Sequence, residues 1–413
     1  MSGISQSLSG PAYVKYFENL DGLRAIAAFA VVFAHISSWF DFPDTITFKV
    51  LKFFMYFNGT HGGRFGVIFF FVLSGFLITY LMFIEKSKTG QFKLGHFYVR
   101  RALRIWPLYF FSLIIGFVLY PMAIGYSGLP HDENASLTWY SLFIANFDHI
   151  YHGFPTANIL GVHWSVCVEE QFYLLWPLVF IACGQSKHFP WVCVGLILSS
   201  EIFHAVVSSK LHGGDYHFIS CVRYLSLGGL LAWFAFYHRF KLEELLARIS
   251  KQKTRVIYAS CVSIMLLEIP ISIIFPGYKK LFHVIPMLFF AFVIAEQNFG
   301  KNSFFKISSI PLLSWLGKIS YSIYLLHMVA INIIFFLFTN SSDFVVAKAI
   351  AAVLLTVLIA HLSYKYIESP FLKLKNKFIN YWLAKMMKSQ KVELRYFSSH
   401  FPTLPHYVIK KVL

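Results

Sequence analysis

The hydrophobic positions of this chain neither alternate nor form narrow stripes; they fill whole runs of about twenty residues. Ten such runs cover roughly 22–40, 64–84, 102–123, 164–183, 190–208, 219–237, 255–275, 280–296, 319–338 and 343–366. At a rise of about 1.5 Å per residue, each spans a hydrocarbon core of about 30 Å as an α-helix. The runs are too long for the strands of a membrane barrel. The expected class is an all-α polytopic membrane protein with about ten transmembrane helices. Few positive charges precede the first run and no small-residue cleavage site follows it, so it reads as a retained span rather than a signal peptide. The stretch "SLTWYSLFIANF" at 136–147 is too short to span and reads as re-entrant or interfacial. No internal repeat or low-complexity linker interrupts the pattern. About 45 residues follow the last run, too few for an ordinary second domain. The division expected is a membrane domain over 1–370 and a tail over 371–413.

Polar residues inside these runs carry the chemistry, because ionisable groups are expensive in a bilayer. "LDGLRAIAAFAVVFAH" holds Arg24 and His35. Eleven residues at about 100° each amount to about 20° past three turns, so both lie on one face, ~16 Å apart along the axis. If the helix enters near Asp21, His35 lies ~10 Å below the outer surface. "HWSVCVEEQFYLLWPL" places Glu169 and Glu170 ~8–9 Å down from the outer end of its helix. A histidine and two carboxylates thus reach similar depth. A carboxylate accepting one imidazole N–H fixes the tautomer and raises the basicity of the other nitrogen, which makes His35 a candidate general base. A structural His–Glu hydrogen bond between helices is the alternative.

Composition sharpens the class. The chain is 57% hydrophobic and 13% charged, about half the charge of a soluble domain. The formal net charge is +17, which in a soluble protein would suggest nucleic acid. Here its distribution points instead to orientation and to anionic membrane lipids, with no nucleic-acid partner. Loop 85–101 carries Lys86, Lys88, Lys93, Arg100 and Arg101; loop 238–255 carries six basic residues, the tail from Lys365 carries ten, and loop 124–163 none. That alternation places both termini in the cytoplasm and 124–163 outside. In the tail, Phe371, Leu374, Phe378 and Trp382 recur at helical spacing among lysines, the pattern of a basic amphipathic helix on the inner leaflet. Cys167, Cys183, Cys193, Cys221 and Cys261 lie in or beside apolar runs without metal spacing and read as packing residues.

A basic cluster marks the inner side. "FYVRRALRIWPLYF" sets Arg101 and Arg104 on one face, with Arg24 and Lys318 at the inner ends of two other runs. Arg100 is accounted for by anchoring and snorkelling. The others suit a phosphate-rich ligand arriving from the cytosol. Ser74 in "FFFVLSGFLITY" lies mid-membrane, where packing is the ordinary role and nucleophile the minority one. His327 in "LGKISYSIYLLHM" reads as cavity lining or an interhelical hydrogen bond, and Glu368 in "YKYIESP" as a partner of the basic cluster. The outer loop holds His131, Asp132, Glu133, Trp139, Asp148, His149, His152 and His163 in no metal-binding spacing, so no metal is expected; sugar binding and simple solvation both fit.

The six quoted motifs around Arg24, Ser74, Arg101, Glu169, His327 and Glu368 occur in an order and spacing that resembles the membrane acyltransferase-3 family over roughly residues 15–375. The resemblance implies ten spans in a bacterial inner membrane, an acyl-CoA donor, usually acetyl-CoA, and a hydroxyl acceptor on a surface or lipid-linked glycan. The family's arginine–ten residues–histidine motif falls on Arg24 and His35. Its paired arginines fall on Arg101 and Arg104, and its tryptophan–serine–glutamate motif on Trp164, Ser165, Glu169 and Glu170. The segment "EQFY" adds Tyr173. Departures are Ile68, Cys167, Lys365 and Ser369; Ile68 weakens the case for a polar catalytic group on the second span. Many relatives carry a fused extracytoplasmic esterase-like domain that this chain is expected to lack. Acyl transfer then finishes in the membrane domain or passes to a separate extracytoplasmic protein.

The expected activity is O-acetylation of a lipopolysaccharide O-antigen or another surface polysaccharide. Arg101 and Arg104, with Arg24 and Lys318, would hold the CoA phosphates. His35, aligned by Glu169 or Glu170, would take the acceptor's proton, with Trp164, Ser165, Tyr173, Ser74 and His327 lining the substrate path. The rival readings are an acyltransferase for a small molecule such as a macrolide, and a transporter or flippase in which His35 and Glu169 relay protons. The absence of broken-helix repeats argues mildly against transport.

Overall fold

The computed structural model describes residues 16–40, 63–126, 132–184, 187–207, 210–211, 213–267, 283–338, 344–375 and 377–378. Every regular element among them is helical. Helix α1 spans Glu18–Trp39 and α2 spans Gly63–Thr89. Helix α3, Leu94–Ile114, runs through a π turn at Ile115–Leu119 into α4, Tyr120–Tyr126. Two short helices follow, α5 (Leu137–Ser141) and α6 (Ala145–His152). Then come α7 (His163–Cys183), α8 (Phe189–Val206), α9 (Phe218–Tyr237), α10 (Arg239–Ala247), α11 (Lys251–Leu266) and α12 (Val284–Phe299). The chain ends with α13 (Pro311–Lys318), α14 (Ser320–Leu337) and α15 (Val345–Ser363). A π turn at Tyr364–Glu368 carries α15 on to residue 375.

The ten apolar runs are helical wherever they are described. Among the described residues eight helices are long and apolar enough to cross a membrane, and the chain is a multi-pass membrane protein. The other two are shorter: α12 is apolar but has 16 residues, and α11 has 16 and opens on Lys251, Lys253 and Arg255. The second half of the seventh expected span, from 268, lies outside the described residues, as do His131 and the amphipathic tail beyond Phe378. The stretch 136–147 forms α5 and α6, joined at Phe143 in a left-handed conformation (φ 57°) that costs an L-residue roughly 1–2 kcal/mol. Its ring packs 4.4 Å from Tyr109 and its carbonyl accepts from Gln171 Nε2 at 2.8 Å, which holds the turn against α3 and α7.

The outer-loop polar residues serve this packing. Glu133 accepts from the amides of Ala135, Thr156 and Ala157, and Asp148 from the Ser136 amide and the His152 ring. His149 meets the Tyr140 hydroxyl at 2.8 Å, and His163 the Ser112 hydroxyl at 2.7 Å. His149 is buried among apolar rings, which pushes its pKa down to about 4 and keeps it neutral at physiological pH. These groups are therefore occupied in holding the loop.

Lipid tails are as apolar as leucine, so helices in a bilayer associate through close packing and hydrogen bonds. Helices α2 and α9 cross in direct backbone contact. A Cβ on Gly75 would lie 1.9 Å from the Leu225 carbonyl oxygen, and one on Gly228 would lie 2.0 Å from that of Val72. The two backbones touch, which fixes the rotation of α2 and with it the direction of Ser74. Behind this crossing, Arg223 of α9 pairs with Glu201 of α8 at 3.5 Å, and Glu201 meets the His283 ring at 2.7 Å. Gly228→Leu is expected to lower stability by at least the ~1–3 kcal/mol of overpacking, because backbone and not a side-chain tip stands in the way. Gly125→Ala, where a Cβ would meet nothing within 4 Å, is the matched control and should unfold as wild type does. Thermal unfolding of the detergent-solubilised protein measures both.

Candidate active site

A cavity of about 520 Å³ lies between α1, α2, α3, α7, α13, α14 and the end of α15. All four cations singled out in the sequence, Arg24, Arg101, Arg104 and Lys318, line it. Arg24 is paired with Asp21 at 2.8 Å, and Asp21 also accepts from the Tyr16 hydroxyl. Arg100 turns away and pairs with Glu85, which agrees with an anchoring role. Arg101 and Arg104 differ: among the described residues no carboxylate lies within ion-pairing distance of either. Arg101 instead lies over aromatic faces, 5.7 Å from the Phe97 ring centroid and 5.9 Å from that of Tyr173, and its Nε is buried without a partner. One helix turn thus presents two guanidinium groups to the cavity, neither in direct contact with a carboxylate among the described residues. An unpaired charge in a low-dielectric setting is costly, and an anionic ligand is what would offset it.

Further into the cavity, three polar side chains meet. Glu169 Oε1 accepts from Ser74 Oγ at 2.9 Å and its Oε2 accepts from the Tyr173 hydroxyl at 2.7 Å. The two hydroxyl oxygens are 3.1 Å apart. Glu169 and Tyr173 are four residues apart on α7 and share a face. The second span therefore does supply a polar group, Ser74, despite Ile68. Next along α7, Ser165 Oγ lies 2.5 Å from the Tyr324 hydroxyl, and both residues line the cavity.

The expected pairing of His35 with a glutamate is corrected by the structure. The His35 ring packs on His327, with ring centroids 4.9 Å apart and His35 Nδ1 3.2 Å from His327 Nε2. Glu170, about 100° round the helix from Glu169, leaves the cavity lining and accepts from Trp106 Nε1 at 3.0 Å. Rise per residue gives a position along one helix and says nothing of its facing. Which way each helix faces depends on packing: α14 lies against the histidine face of α1, while Glu169 of α7 faces α2. Trp164 likewise turns outward, against Phe71 and Tyr216. His35, His327, Glu170 and Trp164 are therefore not on the cavity lining, whereas Arg24, Ser74, Arg101, Arg104, Ser165, Glu169, Tyr173 and Lys318 are.

Sequence reasoning missed Tyr324, Tyr321 and Lys375, all on the cavity lining. Tyr324 is three residues before His327, so the two share a face of α14, and that spacing was a readable signal. Lys375 is seven residues, about two turns, beyond Glu368 on the same face. It could have been found only by continuing α15 past the apolar run.

Comparison with known proteins bears on the family. A family model described as an acyltransferase domain matches residues 17–365. The peptidoglycan O-acetyltransferase OatA of Listeria monocytogenes is 29% identical over 389 residues, which are 89% of this chain and 57% of that protein. A putative O-acetyltransferase of Staphylococcus aureus is 27% identical over 89% of this chain and 59% of its own length. A putative peptidoglycan O-acetyltransferase of Bacillus subtilis, YrhL, is 27% identical over 86% and 55%. The chain thus spans between 55% and 59% of the length of these relatives. No solved structure matches it. With 17–365 matched by one family model and that family's arginine, glutamate and serine positions gathered on one cavity, the chain belongs to the acyltransferase-3 family of membrane proteins.

Proposed function

We propose that this protein is a membrane O-acyltransferase of the bacterial cytoplasmic membrane. It moves an acetyl group from cytosolic acetyl-CoA to a sugar hydroxyl of a surface glycan. The observation that carries the reading is the unneutralised Arg101–Arg104 pair opening on the same cavity as Ser74, Glu169 and Ser165. Two relatives are named for peptidoglycan, which makes a cell-wall sugar an acceptor of equal standing with a lipopolysaccharide O-antigen.

In this reading Arg101 and Arg104 form bidentate hydrogen bonds to the donor's phosphates, with Lys318 and Lys375 adding charge at the same mouth. Ser74 and Tyr173 spend their hydrogens on Glu169, so their oxygen lone pairs remain as acceptors for the amide N–H groups of the donor's arm. Arg24 and His35 are ~16 Å apart along α1, so an extended arm anchored near the arginines brings its acyl end toward the histidine. His35 takes the proton of the acceptor hydroxyl as its oxygen bonds to the acyl carbon. The carbon–sulfur bond breaks, and the sulfur receives that proton, releasing free thiol. A flippase would consume no donor, so thiol release from acetyl-CoA in membranes separates the two classes. Mass spectrometry of the host's envelope glycans, with and without the gene, identifies the acceptor.

His35→Ala should reduce acetyl transfer by about 10²–10⁴-fold while the protein still inserts and folds. A His35→Ala variant with near wild-type transfer would remove the proposed base. Arg101→Ala together with Arg104→Ala should raise the KM for acetyl-CoA with little effect on acceptor saturation. The corresponding lysines should restore binding only in part, since lysine lacks the planar fork. Unchanged CoA affinity in the double alanine variant, measured by equilibrium binding, would return both residues to membrane anchoring.

A further inference from the structure

The His35–His327 contact carries a consequence beyond proximity. His327 Nδ1 lies 2.7 Å from the Tyr324 carbonyl oxygen. A carbonyl only accepts, so this nitrogen bears the proton, and in a neutral ring Nε2 is then a lone pair. His35 Nδ1 faces two acceptors, the Val31 carbonyl at 2.9 Å and His327 Nε2 at 3.2 Å. It must therefore be the protonated nitrogen of its own ring. That leaves His35 Nε2 unprotonated, with no hydrogen-bond partner among the described residues.

We infer that His327 is a positioning residue for the base His35: it holds the ring orientation and accepts from the Nδ1–H of the imidazolium formed during transfer. This rests on the proposed role of His35. His327 would occupy the place that a carboxylate takes in a Ser–His–Asp triad. A neutral imidazole stabilises the cation less than a carboxylate does, and the Val31 carbonyl already selects the tautomer. Its removal should therefore cost less than loss of the base. The geometry also explains why His327 is a histidine where any apolar residue could fill the space. It donates to the backbone of its own helix with one nitrogen and accepts from α1 with the other, and neither Leu nor Phe can do either.

The test uses the full chain in membranes of the producing cell, which carry their own acceptor, with radiolabelled acetyl-CoA as donor. His327→Leu and His327→Met should lower kcat about tenfold to a hundredfold, below the 10²–10⁴-fold range of the base itself, with the KM for acetyl-CoA unchanged. His327→Gln, whose side-chain carbonyl can accept from His35 Nδ1–H, should recover to within about threefold of wild type. In a His35→Ala background, His327→Leu should add almost nothing, because residues that act as one unit are not additive. Two results would overturn the inference: His327→Leu at wild-type kcat, or His327→Gln falling as far as His327→Leu with a common drop in thermal stability. The second would mark His327 as a packing residue. The His35→Ala variant keeps the two levels apart. Its full activity refutes the base itself, whereas its inactivity beside an unaffected His327→Leu refutes only the positioning role.

Discussion

In hydrocarbon a polar side chain has no water to turn to, so each must find another polar group, reach a cavity, or bear the cost of being alone. That constraint organises this molecule. Several intramembrane polar groups are satisfied pairwise between helices: Glu170 by Trp106, Thr79 by Trp176, Ser112 by His163; Arg24 is paired within its own helix by Asp21. The helices are held in the rotations these pairs require by places where one backbone lies directly on another. Gly75 and Gly228 fix α2 against α9, and Gly317 fixes α13 against α1, where a Cβ would come 1.8 Å from the Asp21 carbonyl oxygen. Against this background of satisfied pairs, the Arg101–Arg104 turn stands out because no carboxylate answers it among the described residues. Charge left uncompensated in a cavity is a ligand requirement written into the fold.

How much of this the sequence reveals depends on which coordinate is asked for. Helix existence and depth are properties of single segments, and the apolar runs and the rise per residue determine them. Arg24, Arg101, Arg104, Glu169 and Lys318 are marked by that reasoning, Ser165 and Tyr173 by the family resemblance, and all seven line one cavity. Azimuth is a property of pairs. His35 and Glu169 read as near in depth from their own segments, yet one faces α14 and the other α2, and nothing within either segment records its neighbour. The same limit hid Tyr324 and made Glu170 look equivalent to Glu169, although a step of one residue turns a side chain by about 100°. Ser74 shows the same limit: the sequence marks a hydroxyl in mid-membrane, and the Gly75 crossing is what turns it toward α7.

The polar groups also fall in layers along the bundle, and the layering bears on how a reaction with substrates from two compartments can be run. Arginines form the first layer, the Ser74–Glu169–Tyr173 set the second, Ser165 with Tyr324 the third, and the two histidines the fourth. Each layer is contributed by at least two helices, so shifting any one helix by a turn would break more than one contact. Rigid packing of this kind suits a site that must hold an extended donor in register, since misplacing the reacting atoms by an ångström costs about 10²-fold in rate.

The order of the layers has a further logic under the proposed reading. A thioester is open to attack by water, so a transferase gains from separating the group that recognises the donor from the group that activates the acceptor. Recognition by arginine needs a mouth open to the cytosol, where phosphates arrive. Activation by a neutral histidine needs the opposite setting, because a base that met bulk water would activate water as readily as a sugar hydroxyl. Placing the two about three helical turns apart on one helix, with hydroxyls and a single carboxylate between, meets both demands. It also explains why the orienting partner of His35 is better as a histidine than as a glutamate. A carboxylate at that position would bring a buried charge that must be neutralised in the resting protein, whereas a neutral His327 accepts from the imidazolium without adding one.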